Sequence, residues 1–254
     1  LHYRSHSFPT RRSSDLASGD ESGIAVSLSD DGQTVAIGAH RNDSDGSNGS
    51  NVGHVRIYQL NDDNQWVQLG SDIDGEIATG FSGRSVALSS DAQTVAIGAL
   101  GSNSEKGQAR VFRLNGSNEW VQLGQNLDGQ AANSWFGSDV SLSSNGDILA
   151  VGANRDDSHA SDSGQVKIFA LDHSDQWQQL GQTIDGESSG EYAGESVSLS
   201  ADGRVVAIGA VRHNNKTGKV RIYQLDKDVQ WQQIADIAGQ AGGDFAGHQV
   251  SLSD

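Results

Sequence analysis

One unit recurs four times along this chain and begins a fifth. It reads Gly-x-x-Val-Ser/Ala-Leu-Ser, then Val/Leu-Ala-Ile/Val-Gly-Ala, then Val/Ala-Arg/Lys-Ile/Val-Tyr/Phe, then a Trp. The unit opens at Gly23, Gly83, Gly137, Gly194 and Gly247, at spacings of 60, 54, 57 and 53 residues. A repeat of this length is a supersecondary unit that buries its faces only against its neighbours, so the architecture is an array.

Residues 6–16 resemble a translated sequencing adapter, and 1–16 are set aside as a non-native segment; no apolar stretch there has the length of a signal peptide. The formal charge is −16, or −18 without that segment, which holds three Arg and one Asp. So acidic a chain lacks the basic stripe that phosphate neutralisation needs, which argues against nucleic acid as a partner. There is no Cys and no Met, and no apolar run of membrane-spanning length. The chain stops just after the fifth copy opens, so it reads as a fragment whose visible part makes no membrane contact.

Each copy reads as four short strands. The first alternates apolar residues, as in Val26-Ser27-Leu28 and Val140-Ser141-Leu142, as a strand with one buried face does. Asp31-Gly32, Asn145-Gly146 or Asp202-Gly203 follows, with Asp91-Ala92 in the second copy. These residues reach the positive φ of tight turns and imply antiparallel pairing. The second strand, Val35 to Ala39 and its equivalents, is apolar on both faces. It carries small residues at fixed places, which suits a strand where sheets converge on an axis. The third alternates a cation with apolar residues, as in Val55-Arg56-Ile57-Tyr58. The fourth carries Trp66, Trp120, Trp177 or Trp231 and is the outer, more polar strand.

Four antiparallel strands in each unit, with no helical punctuation, describe an all-β fold: a β-propeller of four-stranded blades. A parallel β-helix fits less well, because its coils are shorter and regular. The blades span about 23–80, 83–134, 137–191 and 194–244, with a fifth starting at 247–254, within a partial propeller over 17–254. An open arc of a larger wheel is expected. The loops joining strands two and three, residues 40–52 and 154–163 among them, vary in length and are the expected seat of specificity.

Phe136-Gly137, and Phe81, Tyr192 and Phe245 two places before the opening Gly, together with the downstream Ile/Val-Gly-Ala, resemble the FG-GAP repeat of integrin-α-type propellers. The likeness is closest to bacterial and microalgal forms that read Trp-x-Gln-Leu-Gly-x-x-Ile-Asp-Gly-Glu, as in 66–76 and 177–187. The resemblance covers 23–254. It implies a non-enzymatic extracellular or cell-surface propeller that binds a protein or glycan in adhesion. The Pro of that motif is replaced by His40, Leu100, Asn154 and Val211. The family's calcium loop is shortened to Asp30-Asp31-Gly32 or Ser144-Asn145-Gly146, too few oxygens for six to eight ligands.

No cofactor is therefore expected. The candidate calcium ligands are Asn42, Asp43 and Asp45, in a loop with oxygens at alternating positions whose Gly comes too early and whose closing Glu is missing, so a solvated turn is the expected reading; Asp156-Asp157 is no better. No catalytic residue is assigned. Gly186 to Gly190 matches GxSxG, but Ser188 lies in a polar connection and not on a strand-to-helix turn. Ser29 to Gly32 departs from the sialidase Asp-box in spacing. His40, His54, His159, His173, His213 and His248 read as surface residues without metal-clip spacing, and Trp135 as packing more than as a sugar platform. The alternative function is an accessory or catalytic propeller of a secreted carbohydrate-active enzyme. An intracellular WD-repeat-like scaffold is weaker still, since the period exceeds 40 residues and no Trp-Asp pair falls in phase.

Overall fold

A computed structural model describes residues 17–43 and 50–253. The adapter-like segment and Asp45 lie outside these residues. Four antiparallel sheets follow one another, each with strands in chain order. The first strands are Ala25–Leu28, Ser82–Leu88, Phe136–Leu142 and Ala193–Leu199. The second are Thr34–Ala39, Thr94–Ala99, Ile148–Ala153 and Val205–Ala210. The third are His54–Leu60, Gln108–Leu114, Gln165–Leu171 and Lys219–Leu225. The fold is a β-propeller of antiparallel blades, here called I to IV, and among the described residues no sheet closes on itself.

The fourth strand is longer than its Trp suggests. In blades I to III it breaks after Trp66–Gln68, Trp120–Gln122 or Trp177–Gln179 and resumes as Ile73–Asp74, Leu127–Asp128 or Ile184–Asp185, both pieces pairing with the third strand. A Leu-Gly step lies between them, its Leu69 and Leu123 buried. In blade IV the strand runs from Trp231 to Ala238, with one register shift opposite Ile222 and Tyr223.

The first strands of successive blades lie against one another and so stand nearest the axis. The second strand, read from its small residues as the converging one, is one place further out. Its small residues answer to the adjacent blade. A Cβ on Gly38, Gly98 or Gly152 would lie 2.1 Å from the carbonyl oxygen of Gly83, Gly137 or Gly194, the opening glycine of the next unit. Gly209 meets Gly247 in the same way, at 1.9 Å. Two glycines of the motif are thus the two halves of one backbone contact between blades.

Hydrogen bonds join the blades at smaller and larger radii. Near the axis, the Leu88, Leu199 and Leu252 amides donate to the hydroxyls of Ser27, Ser141 and Ser198. The bond to Leu252 shows that the fifth copy enters in phase against blade IV. At the periphery, Trp120, Trp177 and Trp231 each donate Nε1–H to the carbonyl of Leu69, Leu123 or Leu180 in the preceding blade, at 2.9 Å. The glycine after that Leu leaves room for the indole, since a Cβ on Gly70, Gly124 or Gly181 would lie 2.7 Å from Trp Cδ1. Gln125 and Gln182 each bond both the N–H and the carbonyl of the following Trp, completing the strand edge with a side-chain amide.

The closing Glu of Ile-Asp-Gly-Glu also reaches across. Glu76 pairs with Arg110 at 3.4 Å and Glu187 with Arg221 at 3.6 Å, both arginines being buried in the third strand of the next blade. Where blade II has Gln130 instead of Glu, blade III has Lys167 instead of Arg. The apolar core follows the same logic. Each of its three clusters draws residues from two neighbouring blades. Ile24, Val26 and Leu28 of blade I, with no neighbour on their other side among the described residues, are 44 to 64 % exposed, whereas Val86, Leu88, Val140 and Val197 are buried.

Candidate functional site

The start of the first strand and the end of the second are antiparallel neighbours, so each blade delivers the same sequence positions to one mouth of the axis. Ser82 pairs with Ala99, Phe136 with Ala153 and Ala193 with Ala210. Register then slips immediately after these pairs, between Ser82 and Ser85, Phe136 and Val140, and Ala193 and Ser196. A bulge re-aims the side chains it carries, and bulges concentrate beside active and binding sites. Here the bulged residues are Arg84, Ser138 with Asp139, and Glu195. All four line a cavity of about 460 Å3 at the axis mouth.

Two residues before each opening Gly stands a bulky residue in the left-handed region: Phe81 at φ 55°, Trp135 at 55°, Tyr192 at 60° and Phe245 at 52°. For such residues this conformation costs of order 1–3 kcal/mol and persists where the surroundings enforce it. The strand 2–3 connection enforces it, because the Phe81, Trp135 and Tyr192 amides donate to the carbonyls of Asn51, Glu105 and Asp162. The rings are thereby turned toward the axis mouth.

Arginines emerge beside these rings from the end of the second strand. The Arg155 guanidinium lies 3.6 Å from the Trp135 ring centroid and 5.8 Å from that of Tyr192, and Arg212 lies 4.2 Å from Tyr192. Trp135, Arg155, Tyr192 and Arg212 thus alternate ring and cation across blades III and IV, a favourable arrangement for each pair. Trp135 also donates Nε1–H to Glu105 at 3.3 Å and is half-buried. Blade II has no arginine there, since Phe81 would lie 2.6 Å from a Cβ on Gly101. In blade I an ion pair replaces the stack, Glu21 to Arg41 at 3.0 Å.

Asp139 is the titratable centre of the cavity. Burial pushes its carboxyl up to about 7, against the opposing pull of the Val197 and Val140 amides and of Arg84, while Glu195 adds to the rise. The Val197 amide donates to Oδ2 at 2.8 Å. Because the folded pKa exceeds the unfolded value, the native state holds a proton between about pH 4 and 7 that the unfolded chain has released. Stability must therefore fall as pH rises through that window. Denaturation midpoints at pH 5 and pH 8 check this: the wild type is expected to lose stability on going to pH 8. Asp139→Asn should show a smaller loss, and an equal loss would contradict the assignment.

His40 and His54 do not lie at the surface as their loop and strand-start positions suggested; they are 7 and 3 % exposed. His40 borders the cavity, where burial holds its pKa down against the raising influence of Glu21. Asn42 donates to Asp20 Oδ2 at 2.8 Å and Asp43 Oδ1 accepts from the Asn51 amide at 2.8 Å. Asp156 and Asp157 bond the Ser158 and Asp162 amides in the same fashion. The short turns consume their acids too, Asp31 accepting from Ser29 Oγ and the Gln33 amide. Millimolar calcium is accordingly expected to leave the melting temperature within about 1 °C; a rise of several degrees, reversed by chelator, would count against that reading.

Ser188 donates to Glu191 Oε2 at 3.1 Å, and the same oxygen accepts the Glu187 and Ser188 amides. Glu191 is a buried turn cap. His213 stands 3.8 Å from Glu191, so Glu187, Glu191 and His213 form a group of metal-ligand type. Lys219 and Arg221 already answer the carboxylates, at 3.0 Å to Glu187 and 2.9 Å to Glu191. The cluster is an ion-pair network between blades III and IV.

The FG-GAP repeat profile matches residues 12–58 and 128–169. In the solved structures, the periplasmic gluconolactonase PpgL of Pseudomonas aeruginosa superposes with a TM-score of 0.56 at 14 % identity, over 85 % of this chain and 57 % of that one. The chain therefore spans little more than half the length of that protein, and the likeness is one of fold. No curated protein matches the sequence significantly.

Proposed function

We propose that this chain, whose FG-GAP repeats fold as propeller blades, is a non-enzymatic recognition module of a secreted or cell-surface protein and takes a glycan at the mouth of its axis. The observation that carries this reading is the repeat-encoded ring of strained aromatics and arginines around one concave site. A cavity of about 460 Å3 lies within the range of small-ligand sites and suits one or two sugar units. The ring is built from Phe81, Trp135 and Tyr192, whose left-handed backbone is held by hydrogen bonds to the strand 2–3 connection. An acidic surface and the repeat family support an extracellular setting, as does the periplasmic location of the fold neighbour.

The purified chain is expected to be retained on a panel of immobilised glycans, and Trp135→Ala, with unchanged melting temperature, to lose that retention. Retention equal to wild type, or none on any glycan, overturns the reading. Two observations favour a second function, a carbohydrate-active enzyme: burial pushes the Asp139 carboxyl up to about 7, where a general acid or base works, and the fold neighbour is a gluconolactonase. Turnover of a sugar lactone that Asp139→Asn abolishes would move the assignment there.

A further inference from the structure

Among the described residues, Arg41, Arg56, Arg110, Arg113 and Arg221 each pair with a carboxylate. Arg84, Arg155, Arg204 and Arg212 make no such pair, and three of these four, Arg84, Arg155 and Arg212, line the axial cavity. In a chain of net charge −16, three unpaired guanidiniums gathered at one concavity are an electrostatic exception. Low-dielectric walls focus their field and raise the local concentration of anions. Arg155 and Arg212 also lie over rings, their guanidinium carbons 3.6 and 4.2 Å from the Trp135 and Tyr192 centroids. That leaves the guanidinium edge free for two parallel bonds to a carboxylate while little entropy remains to be lost.

The wall carries the complementary acceptors. Asn154 is 4 % exposed and its Nδ2 donates to Glu195 Oε2, which fixes the amide orientation and leaves Oδ1 with no hydrogen-bond partner in the chain. His40, 7 % exposed, likewise has Nδ1 without a partner. A buried polar atom left unmet destabilises the free protein, and a ligand hydroxyl that reaches it relieves that cost. Glu195 and Asp139 offer further acceptor oxygens beside Arg84.

Donors for a carboxylate and acceptors for hydroxyls line the same cavity, and together they define one ligand chemistry. We propose that the axial cavity binds a carboxylated sugar, a uronic acid free or at the end of a chain. Its carboxylate sits on Arg84 and Arg155, and its hydroxyls face Asn154 and Glu195. This rests on the glycan reading above and narrows it to an acidic ligand. A neutral sugar leaves the arginines unanswered, and an acidic peptide leaves the acceptors so.

The test is calorimetric titration of the purified chain with galacturonate, trigalacturonate, galactose and a glutamyl dipeptide, at low and high salt. Galacturonate is expected to bind at least about tenfold more tightly than galactose or the dipeptide, with affinity falling at high salt. Arg84→Gln and Asn154→Ala should each weaken it by about tenfold or more, and Arg204→Gln, on the opposite rim, should not. Arg84 stacks on no ring, so its variant carries the test if Arg155→Gln does not fold. A gain confined to trigalacturonate identifies a chain end as the ligand and supports the proposal. Equal binding of galactose, preference for the dipeptide, or an affinity untouched by Arg84→Gln overturns it. Galactose bound with galacturonate refused would sink the acidic ligand and leave glycan recognition standing; refusal of every sugar would sink both.

Discussion

Gly152→Ala should be among the most damaging single-methyl changes this chain can suffer. The new Cβ would lie 2.1 Å from the Gly194 carbonyl oxygen and 3.3 Å from its Cα, and both obstacles are backbone, so no rotamer relieves them. Relief requires blades III and IV to separate by more than 1 Å along their closest line. That loosens the shared cluster of Val166, Ile168, Val197, Val206 and Ile208. Overpacking of a core costs about 1–3 kcal/mol when side chains can yield, so here a loss of about 3 kcal/mol or more in urea unfolding is expected. Gly116→Ala is the control: nothing lies within 4 Å of its Cβ direction, and a change within about 0.5 kcal/mol is expected. If Gly152→Ala unfolds with the same midpoint as wild type, the two glycines are not the blade contact.

That contact shows what the sequence carried and what it withheld. Strand identity and order were legible because alternation in Val-Ser-Leu, the Asp-Gly turns and the two-faced Val-Ala-Ile-Gly-Ala are local signals. Which glycine meets which is not local, since Gly38 and Gly83 belong to different units. For the same reason the second strand was placed at the axis, when its small residues serve the neighbouring blade one strand out. The pieces Ile73–Asp74 and Leu127–Asp128 are too short for any period to register. The burial of His40 and His54 comes from strands that approach from elsewhere in the array.

The axial site was half legible. Phe81, Tyr192 and Phe245 stood out as part of the repeat, and Trp135 shares their phase. Arg155 and Arg212 open the connections between strands two and three, where no local pattern marks them. The signal that finds them is phase again: in three of four copies an arginine stands two residues after Ile/Val-Gly-Ala, at 41, 155 and 212, and the exception is Gly101. The loop carboxylates drew attention for their alternation, yet alternation is also what a loop needs to cap its own amides, as Asp43 and Asp156 do. A cluster of unpaired cations in an acidic chain is visible only once the blades are assembled, because its members are more than fifty residues apart in sequence.

Trp177→Ala should bring the other large loss, and comparison with Trp66 makes it diagnostic. Trp177 is 2 % exposed, packs with Leu123, Leu127 and Phe169, and its Nε1–H bonds the Leu123 carbonyl. Truncation removes the largest side chain at the blade II–III boundary, leaves a cavity and orphans that carbonyl. Phe/Trp→Ala changes of this kind cost about 3–5 kcal/mol. Trp66 holds the same place in blade I but has no preceding blade among the described residues and is only partly buried, so its truncation should cost about 1 kcal/mol, near the centre of the range for ordinary substitutions. Trp177→Phe loses the bond and the second ring of the indole but keeps a six-membered ring in the cluster, for an intermediate cost of about 2–3 kcal/mol. Equal costs at positions 66 and 177 would mean that the indole stabilises its own strand. The expected inequality means that a repeat tryptophan acts on the blade before it, which is why the motif couples Trp to the Leu-Gly of its neighbour.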